Sequence, residues 1–402
     1  MRQLAFIVFW VPSVAWADWS QWRGPHRDGV TPNPPLSWPT ELKKLWVVEV
    51  GEGHSSPVIS RNRVFTLTRV GNEEVVRAID LTNGTEIWNQ KYPAFAELDS
   101  AVGWHGLSPK STPCVNEGRV YTFGISGILS CWDVIDGKLI WRQTFERRFA
   151  KTWPLYGVAT SPLVYEGKVI VWAGGHNQGA LLAFDKASGK ELWVLAADGP
   201  GYSSPVVAEL AGTRQLVVQS QQFLIAVDPN SGKELWKQRF TTGYDQNSIT
   251  PVVVNDWVIH SGYQKPLKAI RVARAGGRFQ LTDQWELRNH PLYLSSPVVA
   301  GKRLFGLSMA DGGSIVVVEL QSGRVQWKKS EMGEYAAFVV AGPNVLVQTT
   351  DGTLYVLNAD SSRWDPIRQY RICDDAVWSH PAFAGDILIV KDKQRLYAWR
   401  VR

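Results

Sequence analysis

The side chains able to do chemistry in this 402-residue chain are seven His, three Cys and a set of acidic residues held at a fixed distance from Trp. Clustered His and Cys bind metal, a Cys beside a base makes a nucleophile, and grouped carboxylates hold Ca²⁺ or move protons. The cysteines are Cys114, Cys131 and Cys373, an odd number with no CxxC and no adjacent pair. Neither a disulfide framework nor a zinc site is supported, and all three read as small buried apolar residues. A Cys114–Cys131 bridge within one repeat stays open at this point. The His residues are scattered. No G-x-S-x-G, H-E-x-x-H or Walker loop occurs, nor a calcium loop of alternating acids with Gly. The Gly-rich stretches Ala173-Gly174-Gly175-His176 and Ala310-Asp311-Gly312-Gly313 lie between apolar runs and read as turns before they read as phosphate loops.

The acidic residues are explained by the elements that carry them. In Ala226-Val227-Asp228-Pro229-Asn230-Ser231-Gly232-Lys233-Glu234-Leu235-Trp236 an apolar run ends at Asp228, which can accept from its own backbone two residues on and start an Asx turn. Gly232 supplies the positive φ of a short hairpin connection, and an alternating strand follows. The phrase recurs as Asp80…Gly84…Trp88, Asp133…Gly137…Trp141, Asp185…Gly189…Trp193 and Glu319…Gly323…Trp327, always with the acid eight residues before Trp. Turn chemistry at a fixed offset marks a repeat architecture. These acids are turn nucleators and the tryptophans are structural.

A second phrase sets the period. Ser56-Pro57, Thr112-Pro113, Ser161-Pro162, Ser204-Pro205, Thr250-Pro251, Ser296-Pro297 and His380-Pro381 recur with a degenerate copy at Ala337-Phe338, at spacings of 56, 49, 43, 46, 46, 41 and 43 residues. About 45 residues accommodate four strands per unit. Ser/Thr-Pro opens an inner strand, where no ladder donor is lost to Pro. The unit containing Ala269-Ile270-Arg271-Val272 takes a longer path to Trp285, which predicts an extended hairpin. The last unit has only three strands, and the orphan strand at residues 44–50 supplies the fourth, closing the ring and removing an open edge. The chain is therefore expected to be all-β, an eight-bladed propeller of four-stranded antiparallel blades over residues 44–402. Trp46, Trp88, Trp141, Trp193, Trp236, Trp285 and Trp327 are expected to dock between blades. Each buries about 150–250 Å², worth up to ~4–6 kcal/mol.

Residues 1–17 read as a secretory signal: Arg2, an apolar run from Leu4 to Val11 too short to span a bilayer, and Ala15-Trp16-Ala17 before Asp18. No Cys stands near that site, so a lipid anchor is not supported, and no later stretch is apolar enough for a transmembrane helix. The expected location is periplasmic or secreted. Residues 18–43 form a Trp- and Pro-rich extension, read as a tail whose two tryptophans dock on the body. Net charge is +6 with basic residues spread along the chain; the one concentration, Arg142, Arg147, Arg148 and Lys151, reads as a solvated loop, not a nucleic-acid surface. A monomer is expected.

The Asp-x-x-[Ser/Asn/Asp]-Gly-x-x-x-Trp phrase with Ser/Thr-Pro-Val openings resembles the pyrroloquinoline-quinone-type propeller repeat with its tryptophan-docking motif, over roughly residues 40–402. Trp-Ser-Gln-Trp-Arg-Gly-Pro-x-x-x-Gly at the start is similar to mature N-termini of exported quinoprotein-like propellers. The resemblance implies two branches: quinoprotein alcohol and glucose dehydrogenases, and non-enzymatic BamB-like propellers. The dehydrogenases hold Ca²⁺ through Glu, Asn and Asp, and many set two adjacent Cys against the quinone. This chain has no adjacent Cys and lacks their long insertions, so the non-enzymatic branch is favoured and no cofactor is expected. The alternatives are a quinone- and Ca²⁺-dependent oxidoreductase of alcohols or sugars, and a carbohydrate- or polymer-binding module. Catalytic and metal-binding residues are not assigned. The segments preceding the inner strands should surround the channel mouth. They bring His54, Trp104, His105, Trp153, Tyr156, Tyr202, Tyr244, Asn247, Tyr293, Tyr335, Trp378 and His380, a ring of aromatic and polar edges suited to a flat ligand, a sugar or a peptide.

Overall fold

The computed structural model describes residues 19–35, 37–97 and 106–402. The signal-like residues 1–17, and Trp104 and His105, lie outside the described residues. The strands form eight four-stranded sheets, seven built from consecutive strands. The eighth orders Lys43–Glu49, Arg395–Arg400, Ile387–Lys391 and Ala382–Ala384, so the N-terminal strand closes the ring as the outermost strand of the last blade. Every ladder is antiparallel, as short hairpin connections require. Among the described residues no helix is long and apolar enough to cross a membrane.

The repeated turn behaves as its residues dictate. Asp228 Oδ1 accepts from Asn230 N (2.7 Å) and Ser231 N, and Gly232 sits at φ +72°. The positive φ serves a second purpose, since the bare Cα lets the neighbouring blade's indole lie on the turn. A Cβ on Gly232 would come within 2.5 Å of the Trp193 ring, on Gly137 within 2.6 Å of Trp88, and on Gly323 within 2.6 Å of Trp285. Each indole N–H then donates to a carbonyl of the next blade: Trp46 to Leu81 O, Trp88 to Val134 O, Trp141 to Lys186 O, Trp193 to Pro229 O, Trp285 to Leu320 O and Trp327 to Ser361 O. Trp236 differs. The next blade has a long hairpin, Lys265–Ala275 and Arg278–Leu287, in place of the Asp–Gly turn, and the Trp236 indole donates to Gln215 Oε1 of its own blade (2.6 Å).

Cys114 and Cys131 are not bridged. Both stand opposite Tyr121, on strands flanking Arg119–Phe123, so two inter-strand spacings separate them. That is about 9–10 Å, beyond the roughly 7 Å limit for a disulfide. All three cysteines are free and buried.

The Ser/Thr of each strand opening has a role that the sequence reading left unassigned. Ser56 N donates to Thr112 Oγ1 (3.2 Å), Thr112 N to Ser161 Oγ (3.0 Å), Ser161 N to Ser204 Oγ (3.0 Å), Ser204 N to Thr250 Oγ1 (3.3 Å) and Thr250 N to Ser296 Oγ (3.0 Å). His380 N closes back on Ser56 Oγ (2.8 Å). These N–H groups face the channel outside any ladder, and each is satisfied by the next blade's hydroxyl. The chain of hydroxyls breaks at the degenerate Ala337.

Residues 19–31 dock on the body through Trp19 and Trp22, and they do so inside the channel. They touch every blade. Trp19 O accepts from Ile59 N, Ser20 O from Val115 N, and Val30 bridges Val340. Trp22 Nε1 donates to Thr250 Oγ1 (3.0 Å), and Trp19 and Trp22 pack on the His380 ring. Arg27 donates to Pro205 O (2.7 Å) and Pro162 O, and Arg23 to Pro297 O. Inner strands are edges whose carbonyls point into the channel, and a guanidinium fork satisfies several at once. Burial lowers both arginines to about 10, so they stay charged at neutral pH. Trp38, further along the extension, joins Tyr370 and Trp399 in the core beside the closing blade.

Candidate functional site at the channel mouth

Above this internal segment lies a cavity of about 380 Å³. Trp22 contributes its floor, together with Ser161, Ser204 and Thr250 of the hydroxyl ring. The segments leading into the inner strands supply the wall, because each must cross the channel rim before its Ser/Thr-Pro. His54 stacks on Trp378 (centroids 5.8 Å apart, planes at 14°), and Tyr335 leans on the same indole (5.6 Å). Across the mouth Tyr156 and Tyr202 meet edge to face (5.5 Å). Tyr293 pairs with Tyr263 (5.1 Å). Burial raises the hydroxyl pKa values of Tyr202, Tyr293 and Tyr335, so these phenols are donors over the physiological range.

Of the expected ring, His54, Tyr156, Tyr202, Tyr293, Tyr335 and Trp378 line this cavity. Tyr244 lines an adjoining cavity of about 690 Å³, which shares Tyr156, Gln246, Tyr293 and Leu294 with the first. Three others line neither. Asn247 is fully buried and its Nδ2 donates to Ser220 O, Gln221 O and Phe240 O, clamping the chain behind the wall. Trp153 donates to Glu97 O and packs edge-on against Phe95. His380 is buried beneath the floor, with Nε2 3.0 Å from Phe338 O. Burial and the Arg23 guanidinium lower its pKa to about 3, so it is a neutral packing ring.

The structure adds residues that the repeat logic did not single out: Trp22, Lys110, Gln246 and Lys393. Lys110 precedes the inner strand Cys114–Asn116, Lys393 sits in the turn before Arg395–Arg400, and Trp22 arrives from outside the repeats altogether. Only the Trp-rich opening could have flagged it. Lys110 Nζ donates to Gly106 O (3.2 Å), and burial lowers its pKa to about 8, with the Glu74 carboxyl acting the other way. Gln246 Nε2 donates to Tyr156 Oη (2.5 Å), while its buried Oε1 has no hydrogen-bond partner.

Among the described residues the lining of this cavity contains no Asp, Glu or Cys, whereas Glu334 lines the adjoining one. Among the described residues no group of three or more His, Cys, Asp and Glu gathers as a metal-ligand set. This donor set does not fit a calcium-bound quinone, which needs carboxylates around the ion. What the cavity offers is aromatic surface, two ammonium groups and hydroxyl and amide edges.

Fold and mouth together define an eight-bladed propeller of the pyrroloquinoline-quinone-repeat type. Residues 71–329 match the family model described as outer membrane protein assembly factor BamB, and the chain belongs to that family. It is similar to BamB of Yersinia pestis, 24% identical over 373 residues, covering 87% of this chain and 86% of that one. It is also similar to the quinohemoprotein alcohol dehydrogenase of Comamonas testosteroni, 27% identical over 164 residues, but this covers 39% of the chain and 21% of the dehydrogenase. The crystal structure of that dehydrogenase shares the fold at a TM-score of 0.70 and 14% identity, over 96% of this chain and 80% of the other. BamB from Moraxella catarrhalis does so at 0.64 and 16%, over 89% and 97%.

Proposed function

We propose that the chain is an exported, non-catalytic propeller that acts as a scaffold for a protein partner and uses the channel mouth as its ligand-binding face. The observation that carries this reading is the lining of the cavity above Trp22, which among the described residues offers rings and cations but no carboxylate or thiol. The comparisons support it through their extent. Sequence likeness to a protein named for outer-membrane protein assembly covers 87% of this chain and 86% of that one, whereas sequence likeness to the dehydrogenase covers 21% of that enzyme, with which the fold alone is shared more widely. Export rests on the signal-like residues 1–17. The quinone- and Ca²⁺-dependent oxidoreductase and the polymer-binding module are less well supported, the first because the cavity above Trp22 has no carboxylate among its described lining residues.

The test is a photo-crosslinking amino acid at Tyr244, which is 69% exposed on the rim of the mouth. In intact cells the reading predicts a discrete adduct with a polypeptide of the outer-membrane assembly apparatus, identified by mass spectrometry, and none from Arg278 on the distant hairpin tip. Adducts equal at both positions, or none at Tyr244, would sink it.

A further inference from the structure

The two lysines of the mouth lie on the same side of the ring. Lys110 precedes the inner strand of the second blade, and Lys393 sits in the turn before Arg395–Arg400 of the eighth. Among the described residues neither makes a salt bridge, although many other basic side chains do. Gln246 precedes the inner strand of the fifth blade, opposite them in ring order. Its side chain is 7% exposed, and the unpartnered Oε1 is an acceptor in a low-dielectric place. An acceptor left without a donor there is costly, and a ligand N–H or O–H would relieve it. Between these poles stand the faces and edges of Trp378, Tyr335, Tyr202 and Tyr293, over the indole of Trp22.

We propose that the mouth cavity is a metal-independent site for a small aromatic anion that carries a hydrogen-bond donor at the end opposite its charge. The acid group sits between the Lys110 and Lys393 ammonium groups. The ring lies against Trp378 and the tyrosines. The donor, a phenolic O–H or a ring N–H, reaches Gln246 Oε1. A cavity of about 380 Å³ is near the small end of ligand pockets, suited to one or two rings. Among the described residues the lining of this cavity carries two ammonium groups and no carboxylate, which favours an organic anion; Asp245 and Glu334 act on Tyr202 and Tyr293 from outside this lining, so the anion's charge belongs at the lysine pole. This inference rests on the reading of the mouth as a ligand face, but not on the identity of the protein partner.

The experiment is calorimetric titration of the purified protein with three matched probes in EDTA: 4-hydroxybenzoate, 4-hydroxybenzamide and benzoate. The first has both charge and donor, the second lacks the charge and the third lacks the donor. 4-Hydroxybenzoate should bind most tightly, with about tenfold loss for each of the other two, the scale of a charge-assisted and a buried hydrogen bond. Lys110→Met and Lys393→Met should each shrink the acid-over-amide preference several-fold, with 4-hydroxybenzamide affinity and the urea midpoint unchanged. Gln246→Leu should abolish the preference for 4-hydroxybenzoate over benzoate. Equal affinity for acid and amide, binding that requires Ca²⁺, or no heat with any probe at millimolar concentration would overturn the inference. Photo-crosslinking from Tyr244 reads the protein-scaffold role separately, so either can fail alone.

Discussion

Two glycine substitutions separate the energy of the turn from the energy of blade docking. Gly167 and Gly232 both sit in hairpin turns at positive φ, +82° and +72°. A Cβ on Gly167 meets nothing within 4 Å, whereas on Gly232 it meets Trp193 Cε3 at 2.5 Å. Gly167→Ala should therefore cost only the left-handed backbone penalty, about 1–2 kcal/mol. Gly232→Ala adds the displacement of an indole from a packed seat, about 1–3 kcal/mol more for overpacking. The assay is urea unfolding followed by far-UV circular dichroism, with the tryptophan signal recorded in parallel. Gly232→Ala should lower the stability about 1–3 kcal/mol further than Gly167→Ala. Trp193 is 9% exposed, and Trp193→Ala alone should cost about 3–5 kcal/mol. In that background Gly232→Ala should fall back to the backbone penalty, a coupling of about 1–3 kcal/mol. Equal costs for the two glycines, or additive costs in the double variant, would refute the docking argument.

Other outcomes follow from the same structure. Arg27→Met leaves the Pro205 and Pro162 carbonyls without donors inside the channel, and should cost about 2–4 kcal/mol in urea while His26→Ala, on the exposed side of that segment, costs under about 0.5 kcal/mol. Tyr202→Ala combined with Trp378→Ala should weaken 4-hydroxybenzoate binding at least tenfold, given about 1 kcal/mol per lost ring contact, with the circular dichroism spectrum unchanged. His260 is buried with both ring nitrogens unpartnered, and burial, aided by Lys268, lowers its pKa to about 3. Between pH 6.5 and 3 the unfolded chain takes up a proton that the folded chain refuses, so stability falls as pH drops through that window. His260→Leu should leave the midpoint at pH 8 unchanged or higher and flatten part of the loss at pH 4.5; an unchanged pH slope would remove His260 as a cause.

The architecture was legible because it is written many times. The acid-to-Trp offset and the Ser/Thr-Pro period repeat, and each copy of a turn such as Asp228–Gly232 constrains the reading of the others. The closing strand was legible by arithmetic, as the last unit lacked one. Residues 19–31 were not, since their contacts are with eight different blades distributed over the chain, and no local period records that Arg27 meets Pro162 and Pro205. The mouth was legible in part. Position before an inner strand places a residue near the rim but does not say which way its side chain turns. Tyr202 and Trp378 turn inward, whereas Asn247 turns back to three carbonyls and His380 sinks below the floor. Lys110 and Lys393 carried no signal because single lysines in irregular loops are ordinary.

The claim that matters most is that the mouth binds without oxidising. The direct measurement is dye-linked turnover by the purified protein loaded with pyrroloquinoline quinone and Ca²⁺ and offered a panel of alcohols and sugars. The account predicts no dye reduction above the protein-free blank and no calcium-dependent rise in the thermal midpoint. Substrate-dependent dye reduction that disappears in Trp378→Ala would contradict it.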